Sequence, residues 1–247
     1  MSARPLGRSL AVFAAVIAAI AIPAIQMTQS IGLTAAEFSS QGDQTLRVAG
    51  YAFSIWGLIY FGLAAYAIYQ LTVARETPTL RAVAWPSVVA IAGCGAWILA
   101  SAFNQQWLTI AIIVTSAGVM VAGLKRARAD APAPAFRDKL LIVWPLSLLA
   151  GWLTIASAVN ILTVLTAQGI IGPDLTWAAI GIAAVLLVGG LVGWTLRSRF
   201  YLAPIIWGLM GVYVAEQAGK PTAAWLAAGA ALLLALEAAA ALRKGRG

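Results

Sequence analysis

The chain has 247 residues, of which 62% are hydrophobic and 10% are charged, and its formal net charge is +8. Soluble domains carry about 25% charged residues, so this composition excludes an ordinary water-soluble protein and indicates an integral membrane protein. The sequence contains no histidine and a single cysteine, Cys94. It therefore excludes a disulfide within this chain, removes the commonest metal ligand and predicts no metal site.

Charges and turn residues divide the sequence into eight apolar blocks. Each block is about as long as a helix that spans a hydrocarbon core of about 30 Å. The blocks cover residues 9–27, 51–73, 86–104, 107–124, 140–163, 175–196, 200–216 and 222–242. Their continuity favours helices over the alternating strands of a membrane barrel. We therefore predict an all-α, polytopic transmembrane helix bundle of about eight helices.

The first block has two interpretations. Arg4 and Arg8 precede it and Ala-Ile-Ala stands at 19–21, a pattern that also fits a cleavable signal peptide. We expect the block to be retained as the first helix. Cleavage would leave seven helices, with the new N-terminus outside.

The basic residues predict the orientation, because short loops rich in Lys and Arg stay on the cytoplasmic side. With the N-terminus inside, only Arg47 and Lys220 lie outside. The cytoplasmic basic residues are Arg4, Arg8, Arg75, Arg81, Lys125, Arg126, Arg128, Arg137, Lys139, Arg197, Arg199, Arg243, Lys244 and Arg246. We predict a multi-pass protein of the cell membrane with cytoplasmic N- and C-termini, in contact with the lipid bilayer. The net charge is then a consequence of topology, and we expect no nucleic-acid partner.

The second block carries an aromatic face. Phe53, Trp56 and Tyr60 are three and four residues apart, which places them on one side of a helix. Because this helix enters from the outside, the three rings lie in its outer half. For Trp56, packing or an interfacial position is one interpretation and the wall of a pocket is the other.

Two more blocks bring aromatic and amide groups to the same outer level. The third ends at Asn104, with Trp107 just beyond it, and the fifth carries Trp152 and Asn160 eight residues apart. Polar groups inside a membrane usually pack between helices or line a cavity. A pocket shared by three helices follows, with an interfacial or packing role as the alternative for Trp107 and Trp152. The long segment 28–50 is expected to cover it.

With these residues placed, about the first 165 positions resemble the TspO/MBR family, the tryptophan-rich sensory proteins related to the mitochondrial translocator protein. Members of that family have five transmembrane helices. Their second-helix pattern of an aromatic residue, a Trp and a Tyr is matched by Phe53, Trp56 and Tyr60. By this resemblance we divide the chain into a five-helix TspO-like region, 1–165, and three additional helices in 166–247.

The third and fifth helices also carry the family's patterns. Asn104 and Trp107 match an Asn followed, after two residues, by a Trp. The stretch WLTIASAVN, from Trp152 to Asn160, matches the fifth-helix pattern. The chain departs from the family before the second-helix Trp, where Ser-Ile stands at 54–55 in place of the usual Gly-Pro. This departure concerns the conformation of the segment that covers the pocket.

The resemblance implies a sensory or receptor-like protein that binds porphyrin (tetrapyrrole) or sterol-like apolar ligands, with a homodimer as a candidate assembly. From the residues themselves, flat ligands stack on Trp and Phe faces, while an Asn or Tyr fixes a polar edge. Without histidine, haem iron would need Tyr, Met or Cys, so we expect a metal-free porphyrin or another apolar molecule and no required cofactor. The predicted ligand-binding residues are Phe53, Trp56, Tyr60, Asn104, Trp107, Trp152 and Asn160.

The last three blocks suggest an alternative function. Residues 206–209 read Ile-Trp-Gly-Leu, as do residues 55–58, and an inverted repeat is typical of secondary transporters. A membrane transporter of a small apolar or amphipathic solute is therefore the alternative, and close packing of Gly beside Trp is the other interpretation of the repeat. Glu237 is either structural, paired with a nearby Arg or Lys, or functional. Without the usual catalytic motifs, we expect no enzyme.

Overall fold

The computed structural model of the protein describes residues 6–72 and 76–244, and the side chains among them as far as residue 240. Three of the basic residues that predict the orientation, Arg4, Arg75 and Arg246, lie outside the described residues. Within the described ranges the chain forms helices and no strand, so the predicted all-α fold is confirmed.

Nine α-helices of six residues or more make up the described part of the chain. They are α1 (Leu6–Thr28), α2 (Ala35–Ser40), α3 (Ile55–Thr72), α4 (Pro78–Ala102), α5 (Gln106–Asp130), α6 (Trp144–Ala167), α7 (Leu175–Leu196), α8 (Arg199–Glu216) and α9 (Pro221–Lys244). A 3₁₀ turn, Gly50–Ser54, leads into α3. A short helical turn, Phe136–Asp138, and a π-helical turn, Lys139–Val143, lead into α6. The eight long helices correspond to the eight apolar blocks.

Seven of these long helices, counted over the described residues, are long and apolar enough to cross a membrane. The remaining long helix is α8, which has 18 residues, begins with Arg199 and ends with Glu216. Its charged ends and its two tyrosines lower its hydropathy. It packs against α6, α7 and α9, so it belongs to the same bundle.

Contacts between helix ends show that the long helices alternate in direction. Arg8 pairs with Glu76 at 2.7 Å, which joins the start of α1 to the start of α4. At the opposite end, the backbone N–H of Leu33 donates to the carbonyl of Ala102 at 3.0 Å. We call the end where α1, α4, α6 and α8 begin the basic end, and the opposite end, which carries α2, the lid end.

Helix α6 lies at the centre of the bundle and packs against α3, α5, α7 and α8. Its contact with α8 is close because Gly151 leaves room for the backbone of Tyr201. The hydroxyls of Thr154 and Tyr201 are 2.9 Å apart and share a hydrogen bond across the same contact. Small residues and interhelical hydrogen bonds are the usual means of holding membrane helices together.

Pro145 accounts for the π-helical turn before α6. Proline has no backbone N–H and its ring crowds the preceding turn, so the regular hydrogen-bond pattern is interrupted there. A wider turn at residues 139–143 accommodates this interruption. The result is that α6 begins at the basic end with Trp144 and Pro145 packed beside α3 and α8.

Helix α1 is part of the packed core. Val12, Val16 and Ala19 lie on its buried face, and the helix contacts α3 and α4. This face is continuous with the buried side chains of the rest of the bundle.

Candidate functional site

A cavity of about 90 Å³ lies inside the bundle toward the lid end. Six aromatic rings line it, contributed by α2, the 3₁₀ turn, α3, α4 and α6. These rings belong to Phe38, Phe53, Trp56, Tyr60, Trp97 and Trp152. We call this space the aromatic cavity.

Four of the rings form one continuous wall. Trp56 stacks on Tyr60 with ring centroids 5.0 Å apart, and its other neighbour is the edge of Trp152 at 6.2 Å. Phe53 meets Trp152 edge-on at 6.3 Å. These spacings are typical of favourable aromatic pairs. The helical spacing in α3 and the position of Trp152 on α6 thus bring together the four rings that the sequence singles out.

Asn160 lies at the cavity wall, but its amide is occupied by protein partners. Its Oδ1 accepts a hydrogen bond from Trp97 Nε1 at 3.1 Å, and its Nδ2 donates to Thr109 Oγ1 at 3.0 Å. The amide therefore connects α4, α5 and α6 and fixes the orientation of the Trp97 ring. In this arrangement its main role is to position Trp97.

Phe38 and Trp97 line the cavity although the sequence analysis did not select them. They meet edge-to-face with centroids 5.7 Å apart, and Phe38 is buried. Phe38 lies on a short helix inside a loop, where no long apolar pattern points to burial. No signal in the sequence selects Trp97, because only the packing of α4 decides which of its faces points inward.

The rest of the lining is almost entirely apolar. Its polar groups are few and uncharged, and they include the Ser116 hydroxyl and the Cys94 thiol. The thiol donates to the carbonyl of Ala90 at 3.3 Å. None of the described lining residues is Asp, Glu, Lys or Arg. Among the described residues no group of three or more His, Cys, Asp or Glu could hold a metal ion. Such a lining is suited to a neutral, apolar and flat ligand.

Helix α2 covers the aromatic cavity at the lid end. Its first turn is fixed by a capping box, in which the Thr34 hydroxyl accepts from the Glu37 N–H at 3.2 Å and the Glu37 carboxylate accepts from the Thr34 N–H at 2.7 Å. The hydrogen bonds from the Thr34 backbone, together with its hydroxyl, lower the pKa of Glu37. Segment 28–50 therefore is the cover that its length predicts, and we call residues 28–50 the lid.

Charged residues fasten the lid to the last helices. Glu216 is fully buried and accepts a hydrogen bond from the backbone N–H of Arg47 at 2.6 Å. Lys220 Nζ donates to the carbonyl oxygens of Asp43 at 3.2 Å and Thr45 at 3.0 Å. We call these contacts of Arg47, Glu216 and Lys220 the latch. It connects the lid to the segment between α8 and α9.

Asn104 and Trp107 do not line the aromatic cavity. Asn104 lies in the tight turn between α4 and α5, with a φ of 53°, and its Oδ1 accepts from Gln41 Nε2 of the lid at 3.1 Å. Trp107 is 54% exposed on the outside of the bundle. Of the seven predicted ligand-binding residues, these two therefore lie at the lid end away from the other five. Ligand binding by the seven remains a prediction.

The two Ile-Trp-Gly-Leu segments have different surroundings. Trp56 lines the cavity, whereas Trp207 donates its indole N–H to the carbonyl of Ala52 at 2.9 Å. Gly208, beside Trp207, contributes to the lining of the same cavity. The second segment thus lies next to the turn that begins α3.

Glu237 lies on α9 with its carboxylate against Gly193 of α7. Among the described side chains it has no ion pair, and its buried Oε1 has no hydrogen-bond partner. The side chains of Arg243 and Lys244 lie outside the described ones. Whether Glu237 is structural or functional remains as the sequence analysis left it.

A family model described as "TSPO-like protein" matches residues 9–240 of the chain. The match covers α1 to α9, so it includes the three helices that the sequence analysis set apart as additional. No curated protein and no solved structure matches the chain.

Proposed function

The chain belongs to the TSPO-like protein family, and from this premise we propose that it binds a flat apolar ligand, such as a porphyrin or a sterol, in the aromatic cavity. One observation carries the proposal: six rings from five segments converge on one space whose described lining is uncharged. Stacking on such rings gives affinity for any flat π-system or ring skeleton, largely independent of polar substituents. The family and the seven apolar helices make it a multi-pass membrane protein.

The size of the cavity implies that the lid moves when a large ligand binds. Cavities for drug-sized ligands have volumes of about 300–1,000 Å³, whereas the aromatic cavity holds about 90 Å³. Helix α2 is the shortest α-helix around it and inserts a single large side chain, Phe38. Withdrawing α2 would open the cavity without disturbing the wall formed by Trp56 and Trp152.

The first test is a titration of the purified full-length protein with protoporphyrin IX, followed by tryptophan fluorescence. We expect saturable quenching that weakens at least tenfold when Trp56 and Trp152 are both replaced by phenylalanine. The matched control replaces Trp85 and Trp225, which are 58% and 67% exposed and lie outside the cavity. This control removes the same number of indoles but none from the cavity. The control variant should therefore bind protoporphyrin IX with the affinity of the wild type. Equal affinity in both double variants would contradict the proposed site.

Cys94 provides a second readout at the cavity itself. It is the single cysteine of the chain and a buried member of the cavity lining, so its slow alkylation by an excess of a small apolar maleimide reports on this site alone. Bound protoporphyrin IX or cholesterol should slow the alkylation, whereas a soluble charged dye should not. Protection by cholesterol but not by the porphyrin would reassign the ligand class while keeping the site.

We propose binding without chemical change of the ligand. Since no described lining residue is acidic or basic, the cavity offers no general acid or base of ordinary strength. The ligand should be recovered with an unchanged absorption spectrum after incubation in the dark. A new absorption band that depends on Trp56 or Tyr60 would instead indicate an enzyme.

Transport of a small apolar solute is the second candidate. It is favoured by Gly208, because the second Ile-Trp-Gly-Leu segment contributes to the same cavity as Trp56. Proteoliposomes should then show saturable flux that decreases when either Trp56 or Trp207 is replaced by phenylalanine. Binding without any flux would leave the receptor interpretation alone.

The orientation that we propose has both termini in the cytoplasm, in the cell membrane. Its support is the concentration of Arg and Lys at the basic end. In a Cys94→Ala background, a membrane-impermeant maleimide should label Gly219→Cys on intact cells and Arg126→Cys only after lysis. The reverse pattern would invert the assignment. A homodimer remains part of the proposal, and chemical crosslinking in native membranes tests it.

A further inference from the structure

A second cavity, of about 370 Å³, lies at the basic end of the bundle. It is formed where α5 ends and where α6 and α8 begin, on the opposite side of the molecule from the lid. Its volume falls within the range of small-molecule sites. We call it the basic cavity, and nothing in the proposed ligand-binding function uses it.

The basic cavity concentrates positive charge without compensation. Arg128, Lys139, Arg197 and Arg199 line it, whereas none of its described lining residues is acidic. Within the described part of the chain, none of these four side chains forms an ion pair with a carboxylate. Arg128 donates one N–H to the carbonyl of Leu196 at 3.0 Å, which leaves other donors of its guanidinium available. Four cations around one space attract an anion.

One wall of the basic cavity is an ordered aromatic platform. Phe200 stacks on Trp144 with ring centroids 4.2 Å apart and an interplanar angle of 21°. The guanidinium of Arg199 lies over the Phe200 ring, 5.1 Å from the ring centroid. Such stacking orients a guanidinium, whose planar fork matches the oxygens of a phosphate group. Arg199 also begins α8, where backbone N–H groups have no intrahelical partners.

A buried hydroxyl at the same cavity has no partner among the described residues. It belongs to Ser147 of α6, which lines the cavity and is 1% exposed. A buried polar group without a partner costs free energy and is rare in native proteins. The hydroxyl of a bound phosphate or one of its oxygens would satisfy it. This observation is independent of the cations and points to a ligand.

The remaining lining is mostly apolar and includes Leu124, Ala127, Val143 and Leu196, with Thr79 and Ser198 as its polar members. Leu124, Ala127 and Leu196 are buried, whereas Lys139, Arg197 and Arg199 are exposed. The cavity thus combines a cationic rim with an apolar floor. We propose that it binds the phosphate group of an amphipathic molecule, with the cations and Ser147 on the phosphate and the floor on the hydrocarbon part.

Two sources could supply this chemistry, a membrane phospholipid or a soluble phosphate ester, and the test distinguishes them. The full-length protein in neutral detergent is titrated with dioleoyl phosphatidylglycerol, dioleoyl phosphatidylcholine and glycerol 3-phosphate. Binding is measured by native mass spectrometry and by the thermal unfolding midpoint. Saturable binding of phosphatidylglycerol alone identifies a lipid site, and saturable binding of glycerol 3-phosphate identifies a soluble ligand.

Variants connect the binding to these residues. Whichever of the three probes binds saturably, Arg199→Gln and Arg128→Gln should each weaken its binding about tenfold. This is the usual effect of losing a charge-assisted hydrogen bond. Arg126→Gln is the matched control, because Arg126 is on the same helix, pairs with Asp130 at 3.6 Å and does not line the cavity. Its affinity should be unchanged.

Ser147→Ala separates a ligand contact from a structural role. Because the hydroxyl has no protein partner, its removal should leave the unfolding midpoint of the ligand-free protein the same or higher, while affinity falls several-fold. Arg128→Gln is a less decisive variant, since its loss could also loosen α7. The proposal is overturned if none of the three probes binds saturably, or if affinity is the same in Arg199→Gln, Ser147→Ala and Arg126→Gln.

Discussion

Gly151 marks the contact between α6 and α8 at the scale of a single residue. A methyl group at this position would overlap the carbonyl oxygen of Tyr201 and crowd Pro204. Because the obstacle is backbone rather than the end of a flexible side chain, α8 would have to shift. We expect Gly151→Ala to lower the free energy of unfolding by about 1–3 kcal/mol, the usual cost of overpacking. Thermal unfolding in detergent measures it.

The control for this prediction is Gly229→Ala. Gly229 is also inside a helix, but a methyl group there would meet nothing within 4 Å. Since Ala is the better helix former, the change should be neutral or stabilise the protein by up to about 1 kcal/mol. If both variants lose the same stability, the close approach of α6 and α8 at Gly151 is incorrect.

Single residues also show how far the sequence could predict the candidate site. Phe53, Trp56 and Tyr60 could be grouped because the helical period alone places them on one face. Trp97 required knowledge of which face of α4 points inward, and that face follows from packing. Asn104 lies away from the cavity because a tight turn, in which its φ is positive, directs it toward Gln41 of the lid. Helix periodicity predicts faces, whereas the partners of a face depend on tertiary structure.

At the scale of elements, the stability of α2 depends on the ionised form of Glu37. The bonds from Thr34 favour the carboxylate and lower its pKa in the folded protein. The stabilisation is therefore complete above the ordinary glutamate pKa of about 4.3 and is lost as the pH falls through the lower, folded value. The protection of the α2 amides against hydrogen exchange, relative to the intrinsic rate at each pH, should therefore decrease over that acidic range.

Glu37→Gln is the matched control for this pH dependence. A glutamine can complete a capping box and does not titrate. The variant should keep α2 protected at acidic pH, while Glu37→Ala should leave it exposed at every pH. If wild type and Glu37→Gln respond to acid in the same way, another group controls the lid.

We expect the latch to limit opening of the lid. Lys220→Met removes the donors to the carbonyls of Asp43 and Thr45 and keeps the length of the side chain. At about 0.5–1.5 kcal/mol for each hydrogen bond, exchange of the amides at residues 43–47 should accelerate about tenfold. Association of protoporphyrin IX should become faster as well.

Lys125 is an exposed lysine at the basic end. The variant Lys125→Met therefore makes the same chemical change far from the lid. It should alter neither exchange in the lid nor association of the porphyrin. Equally faster association in Lys125→Met and in Lys220→Met would argue that the loss of net charge, rather than the latch, controls entry.

At the scale of the whole molecule, α8 and the segment between α8 and α9 contribute to the aromatic cavity and to the fastening of the lid. Trp207 donates a hydrogen bond to the carbonyl of Ala52, and Gly208 lines the aromatic cavity. Glu216 of the latch is the last residue of α8. Exposing apolar helix faces to lipid costs little free energy. Losing these polar partners costs more. A protein truncated after residue 168 should therefore insert into the membrane, unfold at a lower temperature and lose saturable porphyrin binding.

The opposite result would support the division that the sequence suggests. If the truncated protein kept its affinity and its unfolding midpoint, residues 1–165 would be an autonomous unit. Restoring the last three helices as a separate, co-expressed chain provides the control for truncation itself, since binding should then return.

The overall fold was more predictable than the site. The eight apolar blocks match the eight long helices because a bilayer requires continuous helical segments of fixed length. Helix α2 was not predicted, since six residues within a polar loop have no periodic signal and depend on the capping box of Thr34. The π-helical turn before Pro145 was also missed, because sequence shows that a proline interrupts a helix but not how the chain accommodates it.

The hydrogen bond between Trp97 and Asn160 has a consequence for the thermodynamics of binding. A large side chain that becomes ordered only when a ligand arrives loses conformational entropy, at a cost of about 0.5–1.5 kcal/mol. The Trp97 indole is already held by Asn160 on one side and by Phe38 on the other. The conformational entropy of this side chain is lost during folding. A ligand that displaces Phe38 therefore meets a Trp97 ring that Asn160 already orients.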